Sequence, residues 1–130
     1  MTTDINSIAN NFEARTVDVA KFKHIDHIAA ACGLLLKYDF EEAAYHYART
    51  LRSLTAEAGA AHKFNVTVTI AFLGLIKERM MTTPHETFEE FMAVNTDLIT
   101  QKPLSRWYSA NRLKSNMARN TFLLPDNLSS

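Results

Sequence analysis

The stretch Phe64-Asn65-Val66-Thr67-Val68-Thr69-Ile70-Ala71-Phe72-Leu73-Gly74-Leu75-Ile76 decides the fold of this chain. Its first half is rich in β-branched residues and alternates in polarity, which is also typical of a strand. The apolar pattern continues to Met81, however, which is too long for an ordinary strand, and no partner strand is visible elsewhere. We therefore predict a helix from about His62 to Met81. Because this helix has no polar face, we expect it to lie buried at the centre of the fold.

Helical periodicity on both sides of that segment predicts an all-α protein, a single compact bundle of about five helices. Asp39 is a typical N-cap, and Gly59 is a typical C′ residue, so a long helix should lie between them. The sequence Thr83-Pro84-His85-Glu86 predicts another helix start, with a Thr cap and Pro at the first helical position. The remaining segments expected to be helical are 4–14 and 24–38, with short pieces at about 103–109 and 115–122.

Length and composition indicate one domain, spanning residues 1–130, with one sizeable hydrophobic core. Three glycines and three prolines are too few for the many turns of a sandwich or barrel. A formal net charge of zero argues against recruitment of nucleic acid or of acidic membranes by bulk electrostatics. The single cysteine, the absence of a signal-peptide pattern and the absence of a long apolar run predict a cytoplasmic protein that does not enter the membrane.

The sequence His24-Ile25-Asp26-His27 places two histidines at the start of an apolar helical pattern. Three residues along a helix correspond to about 4.5 Å of rise and about 60° of rotation, so both rings can converge on one ion or one water. The positive end of the helix should favour neutral imidazoles, the form that binds metals. His24 and His27 are therefore candidate acid–base groups and candidate ligands of a divalent transition metal. The alternative is a pair of partly exposed histidines that hydrogen-bond to their neighbours.

Asn65 and Thr67 are polar residues in the otherwise apolar central segment. A buried asparagine needs a hydrogen-bonding partner or a ligand, whereas threonine can also bond to its own helix backbone. A pocket between the second and fourth helices would bring both side chains near the histidines. We therefore predict Asn65 and Thr67 as ligand-binding residues.

The segment from Lys102 to Arg119 contains five basic residues and no acidic residue, with Trp107 and Tyr108 among them. This combination is found in sites for anionic ligands and for single-stranded nucleic acid, although the zero net charge makes nucleic acid the weaker choice. We predict that this segment closes the pocket, with Tyr108 as a catalytic residue and Arg112 as a ligand-binding residue for a small polar or anionic molecule. Alternatively, its arginines pair with the acidic residues of the fifth helix, which are Glu86, Glu89 and Glu90.

Several of these stretches together resemble a family of small, functionally uncharacterised bacterial helical proteins. The matching residues are Phe22-Lys23-His24-Ile25-Asp26-His27, Phe64-Asn65-Val66-Thr67, Leu104-Ser105-Arg106-Trp107-Tyr108-Ser109, Arg112-Leu113, Ser115, Ala118-Arg119 and Leu124-Pro125-Asp126. The resemblance implies a helical fold and a site near His24 and His27, but it implies no particular reaction. In the family pattern a third histidine stands at the position of Asn65. Because asparagine is a poor transition-metal ligand, either the site is degenerate here or the pocket works by hydrogen bonding.

These observations predict a small-molecule-binding protein or a small enzyme, with a histidine-lined pocket between the second and fourth helices. The alternative is a non-enzymatic helical interaction or scaffold protein that self-associates, because the chain completes no catalytic constellation. The surroundings of His24 and His27 separate the two hypotheses. Rings that face a cavity favour ligand binding, whereas rings that face open solvent favour the scaffold.

Overall fold

The computed structural model describes residues 2–100 and 102–127, and its regular structure is entirely helical over those residues. The prediction of an all-α fold is therefore confirmed. Of the described helices, none combines the length and the apolar character needed to cross a membrane. The α-helices are α1 (Ile5–Glu13), α2 (His24–Lys37), α3 (Phe40–Glu57), α4 (Val66–Thr82), α5 (Phe88–Val94), α6 (Ala110–Leu113) and α7 (Asn116–Asn120), and two 3-10 turns lie at Ala61–Lys63 and Thr96–Ile99.

The core is built around α2 and α4, because these two helices bury the most continuous apolar surface. Residues 28–35 of α2 are all buried, and α2 packs against α1, α3 and α4. Helix α4 contributes Phe72, Leu73 and Ile76 to the same core. The predicted burial of the central segment is thus seen, and α2 shares the central position with α4. Helix α2 was the less obvious of the two, since five of its eight buried residues are the small residues Ala29, Ala30, Ala31, Cys32 and Gly33.

The ends of α3 and α4 follow from capping chemistry. Helix α3 begins after Asp39 and ends before Gly59, which has a φ of 72° and therefore suits a residue without a Cβ. Helix α4 begins at Val66, later than the predicted start near His62, because Asn65 is its N-cap. The Asn65 Oδ1 accepts a hydrogen bond from the backbone N–H of Val68 at 2.9 Å, which is typical N-cap geometry.

The predicted start of the fifth helix at Thr83 is wrong by one turn. The Thr83 hydroxyl donates to the carbonyl of Arg79 at 2.6 Å, so it closes the end of α4. The cap of α5 is Thr87, whose Oγ1 accepts from the backbone N–H of Glu90 at 3.1 Å. Both threonines are followed three residues later by glutamate, so the sequence offers two capping boxes, and the second is the one used. The predicted helical piece at 103–109 is a series of turns, whereas the one at 115–122 corresponds to α7.

Among the described residues, the arginines of the basic segment form no ion pair with Glu86, Glu89 or Glu90, which corrects that alternative. Arg106 lies over the Trp107 ring at 5.7 Å, and Arg119 donates to Asn116. On the acidic side, Glu89 accepts from the backbone and hydroxyl of Thr3, which tethers the N-terminal residues to α5.

Close packing of α1 on α2 depends on Gly33. A Cβ at this position would lie 2.5 Å from the backbone oxygen of Ile5 and 2.6 Å from the Cβ of Ala9. Neither atom can rotate away, because one belongs to the backbone and the other is fixed to it. A Cβ at Gly74 of α4, by contrast, would meet only the tip of the Phe40 ring at 4.0 Å.

We predict opposite effects for alanine at these two glycines. Gly33→Ala should lower the free energy of unfolding by about 1–3 kcal/mol, because the added methyl overpacks the α1–α2 contact. Gly74→Ala should leave it unchanged or raise it by up to about 1 kcal/mol, because alanine is the better helix former. Urea denaturation followed by circular dichroism measures both. Equal effects of the two substitutions would contradict the close approach at Gly33.

Candidate functional site

A cavity of about 380 Å³ lies where the start of α2 and the first half of α4 meet Thr100 and the segment 102–114. We call it the α2–α4 cavity. This is close to the predicted position, between the second and fourth helices and closed by the C-terminal part of the chain. Its apolar walls are formed by Val68, Phe72, Pro103, Leu104, Leu113 and the ring of Tyr108.

The cavity has an apolar interior and a polar rim. Phe72, Leu104 and Tyr108 are buried, so they form its inner walls. The rim consists of exposed residues, most of them polar or charged: His24, Thr100, Lys102, Ser105, Ala110 and Lys114. Among the described residues that line the cavity, none is acidic. An apolar chamber with a few polar groups at its mouth is the usual form of a small-molecule site.

His24 is the histidine that lines this cavity. Its Nε2 lies 3.0 Å from the backbone oxygen of Leu98, and its ring stacks on Phe72 with 5.6 Å between centroids. Because a carbonyl oxygen only accepts hydrogen bonds, Nε2 must carry the proton. The neutral ring therefore has its lone pair on Nδ1, which can accept a hydrogen bond or a proton. The candidate acid–base role of His24 has this geometric basis and stays a prediction.

The partner of His24 is itself held by a polar network. Arg79 donates to both carboxylate oxygens of Asp97, at 2.8 and 2.7 Å, and also to the buried side chain of Asn95 at 3.0 Å. Asn95 in turn donates to the hydroxyl of Thr83 and to the carbonyl of Phe91. These contacts fix the 3-10 turn Thr96–Ile99 at the end of α4. The Leu98 carbonyl is thereby fixed in position to receive the His24 ring.

The ring of His27 lies outside the α2–α4 cavity, in different surroundings from those of His24. Its ring packs edge-on against Phe22 at 4.7 Å and against Phe12 at 6.4 Å. It lines a separate cavity of about 100 Å³ between the connection that precedes α2 and the helix α3. Burial is the main cause that lowers the pKa of His27 from 6.5 to about 4, and the nearby His24 adds to the shift. This imidazole is consequently neutral at physiological pH and packs as part of an aromatic cluster.

The two histidines do not form the shared metal site that their spacing predicted. Their rings line separate cavities, and the Nε2 of His24 is bound to Leu98. Within residues 2–100 and 102–127, no group of three or more His, Cys, Asp or Glu side chains is arranged to hold a metal ion. Cys32 is buried, and burial raises the pKa of its thiol to about 12, so it supplies no thiolate. The i, i+3 spacing allows convergence, but here the rings turn to opposite sides of the helix start.

Asn65 and Thr67, predicted as ligand-binding residues, are instead bound to the chain's own backbone. The Asn65 side-chain amide donates to the carbonyl of Leu113 at 2.7 Å, in addition to capping α4. The fully buried Thr67 hydroxyl donates to the carbonyl of Thr121 at 2.7 Å and accepts from the N–H of Leu123 at 3.0 Å. Neither side chain lines the α2–α4 cavity. Their hydrogen-bonding capacity is used to hold the C-terminal part of the chain.

Tyr108 and Arg112 bind the same part of the chain, residues 121–127, which we call the terminal segment. The buried Tyr108 hydroxyl donates to the carbonyl of Leu123 at 2.8 Å, so only its ring contributes to the cavity. The Arg112 Nε donates to the carbonyl of Leu124 at 2.8 Å, and Arg112 is not part of the lining. These bonds engage the Tyr108 hydroxyl and the Arg112 Nε within the chain itself, and the catalytic role of Tyr108 and the ligand-binding role of Arg112 stay predictions.

The cavity residues that sequence reasoning missed are Lys102 and Lys114. Both belong to the acid-free basic segment, so the signal was present, but the prediction favoured Arg112 over the lysines. Helix α6 explains the difference, because it turns Lys114 toward the cavity and Arg112 toward the terminal segment.

Comparison of this chain with protein-family models, with curated proteins and with solved structures gave no match. The resemblance to the small bacterial helical proteins therefore stays a prediction.

We predict that Thr67→Val destabilises the protein far more than Thr69→Val. Valine has the same shape as threonine, but at position 67 it leaves a buried N–H and a carbonyl without their partner, which should cost about 2–4 kcal/mol. The Thr69 hydroxyl bonds only to the carbonyl of Asn65, which also accepts from the Thr69 N–H, so its loss should cost less than about 1 kcal/mol. Urea denaturation measures both values. Similar losses for the two variants would contradict the role of Thr67.

We also predict an acid-dependent loss of stability caused by His27. Below about pH 6.5 the unfolded chain protonates this residue, whereas the folded chain resists protonation until about pH 4. The unfolded state therefore binds more protons in this window, and stability falls as the pH falls through it, by at most about 1.4 kcal/mol per pH unit. His27→Gln should flatten the pH dependence of the urea midpoint between about pH 7 and 4.5. The matched control is His62→Gln at an exposed position, which should keep the slope of the native protein.

Proposed function

We propose that this protein binds a small, mainly apolar molecule in the α2–α4 cavity, with His24 as the polar contact. The observation that carries the proposal is the combination of buried apolar walls with a histidine whose tautomer is fixed by Leu98. A volume of about 380 Å³ is near the lower end of the range for ligand pockets, about 300–1,000 Å³, so it suits a small molecule.

Binding is favoured over catalysis by the way the polar side chains are used. The Tyr108 hydroxyl is bound to a backbone carbonyl, and the cavity lining that the structure describes contains no carboxylate or thiol beside His24. A general base works on a substrate with the help of a nucleophile, an acid or an oxyanion-stabilising group. The polar groups present on this rim favour orientation of a ligand.

Ligand binding is tested with the neutral fluorescent probe N-phenylnaphthylamine and its displacement by octanol. We expect saturable binding to the native protein and its loss in Val68→Trp, because the indole would fill the cavity from the α4 wall. Met81→Trp is the matched control, since Met81 lies on the same helix, is 71% exposed and lines neither of the two cavities described. Absence of binding to the native protein, or equal binding by both variants, would remove the proposal.

Self-association as a scaffold is the second candidate, and exposed apolar side chains favour it. Leu36, Met81 and Leu124 are 64%, 71% and 71% exposed, and the zero net charge provides little repulsion between copies. Sedimentation velocity over a range of protein concentrations distinguishes this function from ligand binding by a monomer. A single monomeric species at all concentrations would exclude it. The predicted cytoplasmic location belongs with either function and stays a prediction.

A further inference from the structure

We infer that the ligand is an amphipathic monocarboxylate, whose apolar chain fills the α2–α4 cavity and whose carboxylate is bound by Lys102 and Lys114. This inference rests on the proposed function and names the class of ligand for the same site.

Lys102 and Lys114 are the charged side chains of the rim. Both are exposed, they come from opposite ends of the segment that covers the cavity, and both line it. Across the described residues, no ion pair or hydrogen bond engages the ammonium group of either lysine. Asp126, a carboxylate of the terminal segment, is bound to the backbone and hydroxyl of Ser109 at 2.8 and 2.7 Å and is not part of the lining. Although the protein has a formal net charge of zero, the mouth of the α2–α4 cavity is therefore locally positive.

The walls then set the orientation of the ligand. Because the buried side of the cavity is made of Phe72, Leu104 and the Tyr108 ring, a charged group placed there would lose its hydration without a compensating partner. The charged end of a ligand must lie at the rim, and its hydrocarbon part must lie inside. This arrangement describes an amphiphile with one anionic group at one end.

The cations available favour a carboxylate over a phosphate. Arginine is suited to bidentate recognition of phosphate, but the arginines of this segment are used elsewhere. Arg112 binds the carbonyl of Leu124, Arg106 stacks on Trp107, and Arg119 binds Asn116. The remaining cations are the two lysines, each of which can bind one oxygen of a carboxylate, whereas a phosphate presents three acceptor oxygens and up to two charges.

The test compares octanoate, octanol and octyl phosphate, which share one alkyl chain and differ in the polar group. We expect isothermal titration calorimetry at low salt to show that octanoate binds about tenfold more tightly than octanol. This difference in affinity corresponds to two exposed ion pairs of modest strength, one with each lysine. Octyl phosphate should bind no more tightly than octanoate. The preference for octanoate should shrink as the salt concentration is raised, because exposed charges are screened.

The double variant Lys102→Gln/Lys114→Gln should bind octanoate and octanol with affinities within about twofold, while its affinity for octanol stays that of the native protein. The matched control is Lys63→Gln/Lys77→Gln, which removes the same charge from positions outside the cavity and should keep the preference for octanoate. Lengthening the alkanoate from hexanoate to octanoate should tighten binding by about fourfold per methylene, as long as the cavity accommodates the chain.

The outcomes separate this inference from the proposed function. Equal affinities of the native protein for octanoate and octanol would overturn the inference and leave ligand binding in place. A preference for octanoate that survives in the double variant, or tighter binding of octyl phosphate, would also overturn it. Failure of all three compounds to bind would overturn the inference together with the proposed function. Retained binding of octanol by the double variant shows that this variant is folded.

Discussion

The hydroxyl group of Thr67 is the buried contact that holds the terminal segment against the start of α4. It lies in the first turn of α4, is fully buried, and both donates to Thr121 and accepts from Leu123. A buried backbone group without a partner costs free energy, so the terminal segment can cross α4 only where such a partner exists. Asn65, two residues before Thr67, adds a hydrogen bond to the carbonyl of Leu113. Together these two side chains fix α6, α7 and the terminal segment against the start of α4.

The cavity follows from this constraint. Once the terminal segment is held, the hydroxyl of Tyr108 reaches the Leu123 carbonyl, and the Tyr108 ring forms one wall of the α2–α4 cavity. The opposite wall is positioned independently. The Arg79–Asp97 ion pair holds the turn Thr96–Ile99, and the Leu98 carbonyl in this turn accepts the hydrogen bond from His24. Two separate polar networks therefore position the two walls of the apolar α2–α4 cavity. This explains how a chamber lined by hydrophobic side chains can stay open in a chain of only 130 residues.

Sequence patterns predicted the helices well and predicted the roles of the polar side chains poorly, for a physical reason. Periodicity and caps are local, so Asp39, Gly59 and the extent of α2 could be read from neighbouring residues. The partners of Asn65 and Thr67 lie 48 and 54 residues away, and no local pattern indicates them. The spacing of His24 and His27 likewise sets their angle on the helix but not their rotamers. Phe12 and Phe22 determine the surroundings of His27, and they come from other parts of the chain.

Polar residues on an apolar helix are often taken as candidates for a binding site, and this chain shows how to sort them. A side chain whose hydrogen-bonding groups are already satisfied by backbone atoms has little capacity left for a ligand, which applies to Asn65, Thr67 and the Tyr108 hydroxyl. Among the described residues at the edge of the cavity, the groups that retain capacity include the Nδ1 of His24 and the ammonium groups of the two lysines. The chemistry of the ligand must therefore be inferred from the rim. Because this rim is cationic and the interior is apolar, the charge and the hydrocarbon of the ligand belong at opposite ends of one molecule.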